Sequence, residues 1–327
     1  MKQRLFNRTG EEVSEIGLGT WQLGGADWGE VDESQALETL RAAAAGGVNF
    51  FDTADVYGLG QSEQFIGKFL QTTPGRKFVA TKLGRFPEPG WPKNFTLDAM
   101  RGHTEASLSR LGVEALDLTQ LHCIPTEVLR EGEVFESLRV LKREGKIKHF
   151  GASVESNEEA LICLEQEDLS SLQIIFNIFR QKPIEFFEEA KRKGVALIVR
   201  LPLASGLLSG KFTRETQFAA TDHRSFNREG QAFNVGETFA GLPFEKGVEL
   251  ADALRGFAPE GMTMAQFALR WILDFDAVSV IIPGASNPRQ ARANVSASDL
   301  QPLSPQLHAR LKEFYEQEVA AHIRGPY

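Results

Sequence analysis

Residues 50–58 read FFDTADVYG, an apolar strand that runs straight into two carboxylates and a phenol. Phe50 and Phe51 belong in a core, yet Asp52 follows at once, and Tyr57 stands in the turn-forming stretch Val56-Tyr57-Gly58. A single carboxylate after a strand is ordinary loop chemistry. Its meaning depends on what the rest of the chain places at equivalent points.

Working outward, the same pattern recurs. Eight short apolar runs are spaced along the chain: EIGLGTW, VNFFDTA, FVATKLG, LDLTQLH, IKHFGAS, LQIIFN, VALIVRLPL and AVSVIIPG. Stretches with helical periodicity lie between them. Asp32 is placed to cap DESQALETLRAAAAG, which stops at Gly46-Gly47, and Thr96 to cap the helix that stops at Gly112. EVFESLRVLKREG, NEEALICLEQE, IEFFEEAKRKG and MTMAQFALRWILD follow the same logic, as do NPRQARANV and the closing SPQLHARLKEFYEQEVAAHI. Ahead of them all, RLFNRTGEEVSEIGLGTW reads as a hairpin around Asn7-Arg8-Thr9-Gly10.

Strand and helix alternating throughout imply a parallel sheet. Eight units with no Pro/Gly/Ser linker between halves favour closure over a doubly wound sheet. The expectation is an α/β fold, a (β/α)8 TIM barrel with an N-terminal β-hairpin cap and an extra C-terminal helix, forming one domain over residues 1–327. YGLGQSE does not supply a dinucleotide loop, because GxGxxG needs glycine where Glu63 stands. Met262, Met264, Phe267 and Trp271, at helical spacing, read as core.

Composition narrows the function. Of 327 residues, 42% are apolar and 24% charged, and the formal charge of -8 argues against a nucleic-acid surface. Cys123 and Cys163 stand alone, and His103, His149, His223, His308 and His322 lack metal-ligand spacing, so no metal is expected. No run approaches the roughly 20 apolar residues that span a bilayer, and no signal-peptide core opens the chain, so the cytosol is the default.

In a barrel the active site forms at the C-terminal ends of the strands. Asp52, Lys82, His122, Ser153, Asn177 and Arg200 all stand at or just past the end of a run. A free phenol has a pKa of about 10. A neighbouring ammonium lowers it, and a carboxylate keeps the lysine charged. An imidazole opposite can orient a substrate oxygen. This set moves a proton at a carbonyl or alcohol oxygen but supplies no hydride. The alternative of a Schiff-base lysine is disfavoured, since a lysine held charged by Asp52 is a poor nucleophile.

These residues carry a resemblance. GLGTW (17–21), FFDTADVYG (50–58), TKLG (81–84), LDLTQLH (116–122), GAS (151–153), LQIIFN (172–177), PLASGLLSGK (202–211) and IPGASNPRQARAN (282–294) make the chain resemble an aldo-keto reductase over nearly its whole length. The resemblance implies a catalytic tetrad of Asp52, Tyr57, Lys82 and His122, and a small-molecule carbonyl substrate. It also implies NADP(H) bound in extended form. Thr20, Trp21 and Asp52 fall at the nicotinamide and its ribose, and Ser153 and Gln173 at the carboxamide, with Val154 where the family usually has Asn. Leu201, Leu203, Ser205, Gly206, Leu207 and Lys211 match the pyrophosphate loop, with Arg224 in reach of a phosphate. Gly284, Ser286, Gln290 and Asn294 match the site of the adenosine 2′-phosphate, where Arg289 adds charge and Ala293 replaces a usual Glu. Arg200 stands where the family stacks an aromatic ring under the nicotinamide, and its charge is expected to disfavour the cationic oxidised ring. The segments 84–95 and 210–244 read as substrate-site loops, the second as a lid. Channel beta subunits also resemble this chain, which makes a redox-sensing subunit the alternative function.

Overall fold

The computed structural model describes residues 1–25, 28, 29 and 31–327. Two strands, β1 (Gln3–Leu5) and β2 (Glu12–Ser14), form the expected antiparallel hairpin. Eight more follow: β3 (Leu18–Gly19), β4 (Phe50–Asp52), β5 (Phe78–Leu83), β6 (Leu116–His122), β7 (Ile147–Ser153), β8 (Ser171–Ile175), β9 (Ala196–Arg200) and β10 (Val278–Ile281). They pair in parallel in chain order. Parallel bridges from Ile16 to Ile281 and from Gly19 to Gly284 close the ring. Closure needs glycine at position 19, because a Cβ there would stand 2.8 Å from the Ile282 carbonyl oxygen.

The helices lie between the strands. Asp32 caps α1 (Glu33–Ala45) by accepting from the Gln35 amide, and Thr96 caps a helix at Leu97–Leu111 in the same way. A helix at Gln61–Thr72, which the alternation scheme omits, directly follows the 50–58 stretch and buries Phe65, Ile66 and Phe69. A short α-helix at Pro288–Val295, with Asn287 as its N-cap, follows β10. The closing helix begins at Pro305–Phe314 and ends in irregular turns. Among the described residues no helix is long and apolar enough to cross a membrane.

Two apolar layers follow from the twofold period of the strands. Phe51, Val79, Leu121, Leu172, Leu197 and Val199 point outward into the core shared with the helices. Phe50, Phe78, Ala80, Leu118, Ala196 and Ile198 point inward, where Phe6 and Val13 of the hairpin region close the lower end. Continuing the inward alternation upward gives Asp52 two residues beyond Phe50, Lys82 two beyond Ala80, and Gln120 and His122 beyond Leu118. On β9 it gives Arg200 two beyond Ile198. Strand alternation alone thus sets a polar crown on an apolar plug.

Candidate active site

The crown is bonded together. Lys82 Nζ donates to Asp52 Oδ1 at 2.6 Å, to the Thr53 carbonyl at 2.8 Å and to the Tyr57 hydroxyl at 3.3 Å. The other carboxylate oxygen of Asp52 accepts from Gln173 at 2.7 Å and Gln120 at 3.4 Å. The turn after β4 returns Tyr57 over Lys82, whose ammonium lies 4.9 Å from the ring centroid. Trp21 stacks on Tyr57 at 6.0 Å, and His122 meets the ring edge-on at 5.6 Å. Asp52, Tyr57, Lys82 and His122, far apart in sequence, therefore converge.

Their electrostatics differ in one respect from the sequence expectation. Burial is the largest influence on Tyr57 and raises its pKa; Lys82 pulls it down but does not win. The expected lowering is thus corrected to a net rise, and the phenol holds its proton. For Lys82, burial alone would lower the pKa, but the charges of Asp52 and Tyr57 carry it above the ordinary value. Burial also raises Asp52, against the pull of Lys82. His122 lies well below the usual imidazole range, from burial first and then from the Arg85, Lys82 and Arg200 cations, so it is neutral.

A cavity of about 1770 Å³ opens above these groups. Of the site residues expected from the sequence, Lys82, covered by Tyr57 and Asp52, Leu207, whose side chain is buried in the core, Asn177 and Arg289 do not line it; the others do. One end holds Tyr57 and His122. The middle passes the turn after β9, where Leu201, Ala204, Ser205 and Gly206 all adopt left-handed backbone. Three of these are not glycine, and such strain concentrates at functional loops. The far end reaches Gly284, Ser286, Gln290 and Asn294 around the start of the Pro288–Val295 helix. There Gln290 Oε1 accepts from the Ser286 amide and hydroxyl, and Asn294 donates to the Gly284 carbonyl.

Several expected contacts have other partners. Ser205 Oγ donates to the Glu237 carbonyl and accepts from the Phe239 amide, so it fastens the 210–244 segment. Arg224 is paired with Asp222 and lies over the Trp28 and Phe218 rings. Arg200 donates to the Val154 carbonyl at 3.2 Å and to Cys123 Sγ at 3.4 Å, with Glu237 3.8 Å away, so its charge is compensated. Arg289 does not line the cavity. Cys123, Glu155 and Glu237 bring three ligand-type atoms within 4.8 Å of one another, but Arg85 and Arg200 supply the cationic charge there. The sequence reading missed Gln120, Arg85, Glu155 and Glu237. Gln120 was signalled by its inward register two residues before His122.

Comparison with known proteins agrees with this fold. The model of the "Aldo/keto reductase family" matches residues 15–316. The chain belongs to that family. This aldo/keto reductase is 33% identical over 293 residues to "Aldo-keto reductase YhdN" of Bacillus subtilis (strain 168), covering 87% of this chain and 85% of the relative. It is 28% identical over 323 residues to "NADH-specific methylglyoxal reductase" of Escherichia coli (strain K12), covering 92% and 94%. Among solved structures it is similar to aldo-keto reductase AKR11C1 from Bacillus halodurans in its holo form. There the TM-score is 0.78 at 27% identity, covering 97% of this chain and 99% of that one.

Proposed function

We propose that this oxidoreductase reduces aldehydes and ketones to alcohols with NADP(H), using Asp52, Tyr57, Lys82 and His122 as its catalytic set. The observation that carries the reading is the convergence of the Lys82 ammonium on both Asp52 and Tyr57 beside a neutral His122, at the inner end of the cavity. Tyr57 is the general acid. Burial keeps it protonated until a substrate oxygen gains negative charge, and Lys82 then stabilises the phenolate it leaves. Asp52, held by Gln173 and Gln120, keeps Lys82 charged and in place. His122 donates a hydrogen bond that fixes the carbonyl.

The cavity fits a nicotinamide dinucleotide. Its volume exceeds the roughly 300–1,000 Å³ of a drug-sized ligand site, and it runs from the acid to a helix N-terminus, a favourable place for a phosphate. A bound nicotinamide would supply the hydride that these side chains lack. Trp21, Ser153 and Gln173 would hold it at the inner end, and Lys211, Ser286, Gln290 and Asn294 would meet its phosphates. Lys211 lines the cavity and has no ion pair among the described residues, which suits it to a cofactor phosphate. The cytoplasm is the proposed location.

The test is oxidation of NADPH and of NADH with a panel of small carbonyls, in wild type and Tyr57→Phe. Turnover with NADPH preferred, abolished by the substitution, is expected. Equal rates in both proteins would refute the assignment of the acid, and a preference for NADH would refute that of the cofactor.

A further inference from the structure

The cavity beside His122 has a charged wall that the proton chemistry does not use. Arg85, just past the end of β5, donates to Glu237 at 3.2 Å and to Glu155 at 3.1 Å. Asn234 donates to the second oxygen of Glu155 at 2.9 Å, and Glu237 stands 3.8 Å from Arg200. All five residues line the cavity. The four charged side chains are 7–19% exposed.

This wall adjoins the reacting position. Cys123, directly after His122, accepts from Arg200. After burial itself, Arg85 is the largest influence that depresses His122, as a cation close to the imidazole must be. Stability does not explain four charges here, since replacing a buried ionic cluster by packed apolar residues is often neutral or stabilising by about 1–4 kcal/mol. Fastening the 210–244 segment explains Asn234 and one side of Glu237. It leaves Arg85 with more donors than its two carboxylate bonds use.

Given the carbonyl-reductase reading above, we infer that Arg85, Glu155 and Glu237 form a hydroxyl-recognising subsite beside the reacting carbonyl, selecting short α-hydroxy aldehydes and ketones. A hydroxyl donates and accepts at once. The wall offers both complements side by side, a carboxylate oxygen for the O–H and a guanidinium N–H for the oxygen. An alkyl group in the same place would strip water from four charges and return no hydrogen bond. A carboxylate substituent would face two acidic side chains. Burial, and then the charge of Glu237, push Glu155 up to about 7, so near neutrality the wall also offers a carboxyl proton.

The experiment compares kcat/KM for glycolaldehyde against acetaldehyde and for glyceraldehyde against propanal, with NADPH and with NADH. The hydroxylated member of each pair is expected to win by about 100-fold or more, in keeping with sites built to bond a substrate hydroxyl. In Arg85→Met and in Glu155→Gln that ratio is expected to fall at least about tenfold. Arg85→Lys, which keeps the charge but loses the fork, gives the same reading should Arg85→Met not fold. A ratio near one in the wild type, or one unmoved by the substitutions, overturns the subsite and leaves the reductase reading standing. No oxidation with any of the four carbonyls overturns both.

Discussion

Asp55 lies three residues past Asp52 and two before Tyr57, fully buried, and neither of its carboxylate oxygens has a hydrogen-bond partner among the described residues. Burial, reinforced by Glu63, pushes its pKa from 3.8 up to about 8. The consequence for Asp55→Asn follows from proton linkage. Below about pH 4 the folded and unfolded chains both carry the Asp55 proton. Between about 4 and 8 only the folded chain does, so unfolding releases a proton and stability falls as pH rises. Above about 8 the loss is complete. Each pKa unit is worth about 1.4 kcal/mol, so the interval gives a ceiling of about 6 kcal/mol. Asparagine has no proton to release, but its buried amide costs about 1–3 kcal/mol at every pH if it too goes unbonded. The variant is therefore expected to be less stable than wild type near pH 4 and more stable at pH 8. Urea unfolding of both proteins at unit intervals from pH 4 to 9 measures the difference. A stability difference that does not change with pH would refute the reasoning.

Two further perturbations probe the crown and the sheet. Lys82→Met leaves the Asp52 carboxylate buried with only glutamine donors, and an uncompensated buried charge costs about 3–5 kcal/mol. Turnover should fall by about 10²–10⁴-fold with it; urea unfolding and kcat check the two effects, and retention of both would contradict the roles given to the pair. Gly151→Ala would set a Cβ 2.1 Å from Ser171 Oγ and 2.6 Å from the Ser171 carbonyl oxygen, forcing β7 from β8. For Gly284→Ala the nearest atoms are all at the end of the Gln22 side chain, which can swing away. A loss of about 1–3 kcal/mol is expected for the first and under about 0.5 kcal/mol for the second, read from thermal midpoints.

The eight barrel strands were legible because each is a short apolar run, most of them with a polar residue at the end. The same periodicity carried Asp52, Lys82 and His122 onto one rim. The Gln61–Thr72 helix was overlooked because it begins in the glycine-rich YGLGQ, although Phe65, Ile66 and Phe69 show its buried face. Arg85, Glu155 and Glu237 come from three loops, and no local spacing announces that they will meet. The direction of the Tyr57 shift was misjudged for a related reason. A lysine neighbour can be read from a motif, whereas the depth of burial that outweighs it depends on packing from Trp21 and other distant residues.

The hairpin plug also bears on how the proposed acid would be reset. Below Asp52 and Lys82 the barrel is packed with Phe50, Phe78, Ala80 and Leu118, with Phe6 of the hairpin region in the same apolar cluster. Under the proposed mechanism, a proton given up by Tyr57 would be replaced from the cavity that Tyr57 lines. Recharging of the phenol would then draw on the same cavity through which product leaves.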